Sequence, residues 1–212
     1  MNENITKYSF ELSEYIIDNY EEKILRKIIA SDYGYFLPYE QDEIYRISLK
    51  NKPECKNLIA VKMKDYLKNN DKVNNIISNT VGLEGFINFR LKEYKMLLTD
   101  IINRAVQEFE VKQEYETFIG LLKYFVDMQE PVYDKIHLVG NADGEVDVFS
   151  NRKIKITGGA NADILLDSIL NLAPRKIYIH KIENFKNEEL INTIINIFNG
   201  KITICNNCNF CS

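Results

Sequence analysis

Apolar residues recur three and four positions apart through most of the first 130 residues, which is the spacing of an amphipathic helix. The stretch from Phe10 to Ala30 follows this pattern, and Ser9 is its expected N-cap. Shorter helices are predicted over residues 40–49 and 56–69, with Lys52-Pro53 between them, because the residue before a proline disfavours helical geometry. This part of the chain is therefore expected to be predominantly helical.

The longest helical stretch runs from Glu84 to Gln129, and its apolar stripe loses register across residues 110–114. A single helix of that length would measure about 65–70 Å at 1.5 Å per residue, which is long for a compact domain. The pattern therefore predicts two long helices that meet at a bend or tight turn over residues 110–114.

After Pro131 the chain changes to short runs that are typical of strands, and Asn141-Ala-Asp143-Gly144 is a hairpin signal. The predicted elements are strands over residues 135–139, 145–149, 153–156, 176–180 and 201–204, a turn at Gly158-Gly159, and helices over residues 162–172 and 187–198. The last strand, helix and strand form a βαβ unit, whose crossover is expected to be right-handed. The sequence thus predicts an α+β fold, with a helical part over residues 1–130 and a small α/β part over residues 131–212.

Composition narrows the class of protein. The chain has 212 residues, of which 45% are hydrophobic, enough for one large or two small domains with a buried core. The net charge of -4 is spread evenly, which argues against a nucleic-acid partner because such binding neutralises phosphates. The sequence contains no run of about 18 apolar residues, so it predicts no membrane span. The first residues, Met1-Asn2-Glu3-Asn4, lack the basic region of a signal peptide. We therefore expect a cytoplasmic protein, whose cysteines stay reduced unless they bind metal or take part in redox chemistry.

Three of the four cysteines form the most specific chemical signal, Cys205-x-x-Cys208-x-x-Cys211. This spacing lets successive thiolates turn toward one centre, as in zinc and iron–sulfur loops, and both kinds of centre call for a fourth ligand. His180 and Cys205 end two predicted parallel strands, and such strand ends meet at one sheet edge. His180 is therefore the first candidate for the fourth ligand, and Cys55 in the helical part is the other.

Several interpretations of the cysteine cluster are open at this point. It is a zinc site, an iron–sulfur site, a thiol redox centre, a cluster that is completed only in an oligomer, or a reduced tail that binds no metal. The sequence contains neither a phosphate-binding glycine loop nor a Gly-x-Ser-x-Gly nucleophile motif. We predict no catalytic residue, and the balance is against an enzyme.

A second candidate site lies between Glu84 and Tyr94. The apolar stripe of this segment is expected to be buried, whereas Arg90 and Lys92 face outward. An arginine beside aromatic residues is suited to bind a carboxylate or phosphate of a partner. The alternative is a solvated helix surface with an Arg90–Glu93 ion pair.

The same segment, Glu84-Gly-Phe-Ile-Asn-Phe-Arg-Leu-Lys-Glu-Tyr94, resembles the most distinctive block of the YtxC-like family of sporulation-associated proteins. The resemblance continues through residues 114–125, 135–139, 172–180 and 196–200 and into the cysteine tail. It implies a cytoplasmic protein of an endospore-forming bacterium with a role linked to sporulation, and it brings no known reaction or catalytic residue. Ile and Asn make up about a quarter of the chain, which fits an AT-rich clostridial genome.

The sequence therefore predicts a sporulation-associated protein that acts by binding an unknown protein partner. The predicted partner-binding residues are Arg90 and Lys92, and the tail is expected to hold a structural metal site. The alternative function is that of an iron–sulfur or thiol redox protein that uses Cys205, Cys208 and Cys211.

Overall fold

The computed structural model describes residues 2–50, 52–68, 80–150, 155–157 and 162–211. The chain divides into two compact units, residues 1–113 and 114–212, and each has its own hydrophobic core. The predicted α+β class is confirmed, because helices build the first unit and a mixed sheet with helices builds the second. The turn predicted at Gly158-Gly159 and the first two residues of the strand predicted over 153–156 lie outside the described residues.

The first unit is built from helices. Helix α1 (Asn2–Ile16) continues through a π-helical segment (Ile17–Glu21) into α2 (Glu22–Asp32). The helices that follow are α3 (Pro38–Lys50), α4 (Lys56–Lys68) and α5 (Thr80–Arg90). None of the helices in the described part of the chain combines the length and the apolar character that crossing a bilayer requires.

The N-cap predicted at Ser9 is wrong. Ser9 lies inside α1, where its hydroxyl donates a hydrogen bond to the backbone carbonyl of Thr6 at 2.7 Å. The helix begins earlier because Ile5 and Tyr8 also pack against the core of the first unit. The packing of Ile5 and Tyr8, which precede Ser9 in the sequence, therefore extends the helix toward the N-terminus.

A buried polar contact holds the π-helical segment in the core. The Glu21 side chain is only 6% exposed, and its carboxylate accepts hydrogen bonds from the Tyr94 hydroxyl and the Lys52 ammonium group. Burial and the adjacent Glu21 raise the pKa of Tyr94 far above its usual value, so the phenol stays protonated and keeps donating. The Lys52 ammonium group supplies the opposite charge that a buried carboxylate needs.

Helix α6 (Lys92–Met128) is one continuous helix of 37 residues, so the bend predicted over residues 110–114 is wrong. The break in the predicted helical stretch falls instead at Leu91, between α5 and α6. The loss of register has another cause. Leu98 and Phe109 pack in the core of the first unit, whereas Leu122 and Val126 pack in that of the second.

The second unit contains a five-stranded sheet of order β3-β2-β1-β4-β5. Its elements are β1 (Tyr133–Gly140), β2 (Val146–Ser150), β3 (Lys155–Thr157), α7 (Ala162–Leu172), β4 (Pro174–His180), α8 (Glu188–Ile197) and β5 (Ile202–Cys205). Strands β1 and β2 pair antiparallel, and Gly144 adopts a φ of 83° in the turn between them. Strands β1, β4 and β5 are parallel neighbours. The predicted hairpin and βαβ unit are thus both present.

The two faces of this sheet differ in chemistry because side chains alternate along each strand. Ile136, Leu138, Ile177 and Ile179 are buried on one face, in a core that includes apolar residues of α7 and α8. The strand pairing places the other set on the opposite face, namely His137, Phe149, Tyr178, His180 and Cys205. The alternation that builds the core therefore sets both strand-borne candidate ligands on one face at one sheet edge.

Replacing Gln113 with proline tests whether α6 is continuous. The Gln113→Pro variant is expected to lose about 3 kcal/mol or more in free energy of unfolding, because proline removes a backbone donor and clashes with the preceding turn. Gln113→Ala is the control, and its free energy of unfolding should be close to that of the wild type. Urea denaturation followed by circular dichroism measures both. Equal stability of the two variants would instead support a turn at this position.

Candidate metal centre

The candidate metal centre begins at the last register pair of β4 and β5. His180 pairs with Cys205, so their side chains lie side by side at the C-terminal edge of the parallel strands. The chain then folds back in a turn, in which the amide of Cys211 donates a hydrogen bond to the carbonyl of Cys208 at 2.8 Å. This turn carries the second and third cysteines back to the strand ends.

The four potential ligand atoms converge on one small volume. The Nδ1 atom of His180 lies 3.3 Å from the sulfur of Cys208 and 3.4 Å from that of Cys211. The Cys211 sulfur lies 3.7 Å from that of Cys208 and 4.0 Å from that of Cys205. All four ligand atoms lie within 4.8 Å of one another. Zinc bonds of about 2.3 Å to sulfur and 2.0–2.1 Å to nitrogen separate tetrahedral ligand atoms by about 3.5–3.8 Å, so the arrangement fits one ion.

The structure places Cys55, the alternative fourth ligand, in the first unit. It is 6% exposed within the hydrophobic core, and its thiol donates to the carbonyl of Pro53 at 3.4 Å. Burial, reinforced by the negative charge of Glu21, raises the pKa of this thiol. A protonated core cysteine is a poor metal ligand, since metals bind the thiolate.

His137 holds the imidazole of His180 in position. The Nε2 atom of His180 lies 2.9 Å from Nδ1 of His137. When Nδ1 of His180 faces the sulfurs, its Nε2–H donates to His137, which is the arrangement that orients metal-binding histidines. Position 137 lies within the strand predicted over residues 135–139, and its alternation there indicates only a packed or half-exposed strand residue. The missing signal was the pairing of β1 with β4, which sets His137 beside Tyr178, two residues before His180.

Phe210 covers the histidine pair. Its ring lies 4.9 Å from that of His137, 5.1 Å from that of His180 and 5.4 Å from that of Phe149, measured between centroids. This cover helps to explain why His180 is only 2% exposed although it lies at a strand end. The backbone amide of Phe210 also donates to the Cys208 sulfur at 3.3 Å. Sequence reasoning missed this residue, and its place between two cysteines was the only available sign.

The electrostatics of the cluster favour cation binding. Burial, and then the neighbouring His137, lower the pKa of His180, so its imidazole stays neutral and keeps a lone pair. Burial acts to raise the pKa of Cys208, but hydrogen bonds from the Phe210 amide and from the other two thiols lower it overall. Burial and the interaction with Cys208 raise the pKa of Cys211. Of Cys208 and Cys211, Cys208 therefore loses its proton more readily.

Arg90 and Lys92 lie in the first unit on either side of the helix break at Leu91. They line an open cavity of about 350 Å³ together with Lys62, Asp65, Tyr66, Phe89 and Glu93. The guanidinium of Arg90 lies over the Tyr66 ring, 6.0 Å from its centroid. The Arg90–Glu93 pair of the alternative interpretation is replaced, because Glu93 pairs with Lys62 at 3.0 Å.

Comparison with known proteins gives a family and no described activity. The model of the YtxC-like family matches residues 7–203. The uncharacterized protein YtxC of Bacillus subtilis (strain 168) is 39% identical over 57 residues, which are 27% of this chain and 20% of that protein. The aligned part thus spans about a fifth of the relative's length. No solved structure matches the chain. The family match includes His180 and ends before Cys205, so the three cysteines lie beyond it.

Substitution of His137 tests its role as the support of His180. His137→Phe keeps a flat ring against Phe210 but removes the acceptor, and it is expected to weaken metal binding by about 10–100-fold. His137→Asn retains an acceptor and should lose less. Competition with a chromophoric zinc chelator measures both affinities, and circular dichroism checks the fold. A Phe variant that binds zinc as tightly as the wild type would rule out this supporting role.

Proposed function

This chain belongs to the YtxC-like family, and we propose that it holds one zinc ion between Cys205, Cys208, Cys211 and His180. The observation that carries the proposal is the convergence of these four ligand atoms within 4.8 Å. Four protein ligands fill a tetrahedral zinc ion and leave no position for a substrate, which is typical of structural sites. The zinc ion would tie the cysteine turn to the ends of β4 and β5.

A single ion explains the geometry better than an iron–sulfur cluster. A cluster distributes its ligands over several iron atoms, so it needs ligand atoms farther apart than the 4.8 Å within which all four lie here. Thiol redox chemistry is the second candidate, because the sulfurs of Cys208 and Cys211 lie 3.7 Å apart. A disulfide between them would remove two of the four ligands, so the two functions exclude each other in any one molecule.

We further propose that the protein acts in sporulation by binding a protein partner in the cytoplasm, and that it has no catalytic role. The cavity around Arg90 and Lys92 supports this proposal. Phe89, which lines the same cavity, is 76% exposed, so the cavity presents cationic groups and an apolar ring together. A reducing cytoplasm would also keep the three cysteine thiols available to zinc.

Metal analysis of anaerobically purified protein tests the zinc site. The wild type is expected to contain about one zinc ion per chain, whereas Cys208→Ser and His180→Ala should contain much less and unfold at lower temperature. Cys55→Ala is the matched control and should keep its zinc. Iron with the visible absorption of a cluster would favour the redox alternative. Metal-free wild type with three freely titratable tail thiols would contradict the zinc proposal.

Alanine substitution of Arg90 tests the partner-binding surface. Because Arg90 is exposed, Arg90→Ala should change the free energy of unfolding by no more than about 0.5 kcal/mol. It should nevertheless reduce the amount of any partner that copurifies with tagged protein from sporulating cells, measured by quantitative mass spectrometry. Arg104→Ala, at an exposed position of α6, is the control. An Arg90→Ala protein that unfolds would show that the residue is structural.

A further inference from the structure

The first unit has a second cavity, whose lining is more apolar than that of the cavity beside Arg90. Its volume is about 420 Å³, and it opens beside α2, α5 and α6. Apolar side chains contribute much of its lining, namely Tyr20, Ile24, Ile28 and Ile87. Pockets that bind small molecules combine this size with an apolar lining and a few polar groups.

We propose that this cavity binds an amphipathic carboxylate, an alkyl chain that ends in a single anionic group. The alkyl chain would cover the isoleucine side chains, and the carboxylate would lie among three ammonium groups that belong to Lys23, Lys27 and Lys95. Neither the zinc site nor the Arg90 surface takes part, so the proposal does not depend on them.

The three lysines converge on the cavity from two helices. Lys23 and Lys27 are four residues apart on α2, so they lie on one face of that helix, and Lys95 comes from α6. In the part of the chain that the structure describes, none of the three forms a salt bridge. Lys95 donates to the side-chain oxygen of Asn88 at 2.8 Å. Lys23 lies over the Tyr20 ring, 5.6 Å from its centroid.

The rim carries a net positive charge that an anion would offset. Glu84 is the acidic residue of the lining, and it stands against three lysines. Burial, and then the positive charge of Lys27, lower the pKa of Lys95. The ammonium groups of Lys27 and Lys95 repel each other in these partly apolar surroundings. A carboxylate bound between them would attract both and so offset that repulsion. Charge complementarity therefore selects an anion.

The apolar lining selects an anion with an alkyl chain. A small hydrophilic anion such as phosphate would meet the lysines and leave the isoleucine surface in contact with water. Each further methylene group that covers that surface should raise the affinity about fourfold. Affinity should therefore rise with chain length, and a carboxylate head group should be required.

Isothermal titration calorimetry of the full chain tests the proposal, with decanoate as the probe. We expect saturable binding of one decanoate per chain, at least tenfold weaker binding of hexanoate, and no binding of decanol or inorganic phosphate. Decyl phosphate is a separate arm. If it binds more tightly than decanoate, the site serves a lipid phosphate, and the carboxylate assignment is overturned.

Substitutions place the binding in this cavity. Lys27→Met and Lys95→Met keep the alkyl part of the side chain and should each weaken decanoate binding by about tenfold or more. Lys123→Met, at an exposed position of α6 in the second unit, is the control and should bind as the wild type does. Circular dichroism checks that each variant is folded. Equal affinity of all three variants, or equal affinity for decanoate and hexanoate, would overturn the proposal.

Discussion

The candidate metal centre depends on the register of two parallel strands. His180 and Cys205 form the last pair of β4 and β5, while Ile177 pairs with Ile202 three residues earlier. A slip of one residue would turn Cys205 to the opposite face of the sheet, because side chains alternate with a period of two. This register is favoured because Ile177 is buried in the core of the second unit and its partner Ile202 packs against the same core. Hydrophobic burial on one face of the sheet thus determines that His180 and Cys205 lie together on the other face.

Local patterns predicted most of the elements, and long-range pairing explains most of what they missed. The strand and helix alternation after Pro131 was enough to place His180 and Cys205 at strand ends, since a βαβ unit has parallel strands. The pairing of β1 with β4 was not predictable in this way, because β2, β3 and α7 lie between them in sequence. The sequence therefore gives no indication that His137 supports His180.

The sequence pattern was also misleading for α6, because this one helix packs in two different hydrophobic cores. The stripe of α6 changes register near residue 110 because the helix passes from one core to the other, and a periodicity argument interprets such a change as a break. The π-helical segment presents a similar difficulty. It carries Glu21 among apolar side chains, and only the three-dimensional contact with Tyr94 and Lys52 makes a buried carboxylate acceptable.

Helix α6 contributes apolar side chains to the cores of both units. A peptide with the sequence of one half of α6 would be marginally stable as a helix in water, because short helices owe most of their stability to tertiary packing. If either core melts, its half of α6 loses that support and the helix frays toward the other core. The folding free energy of each unit therefore includes the burial of the apolar side chains that its own part of α6 contributes.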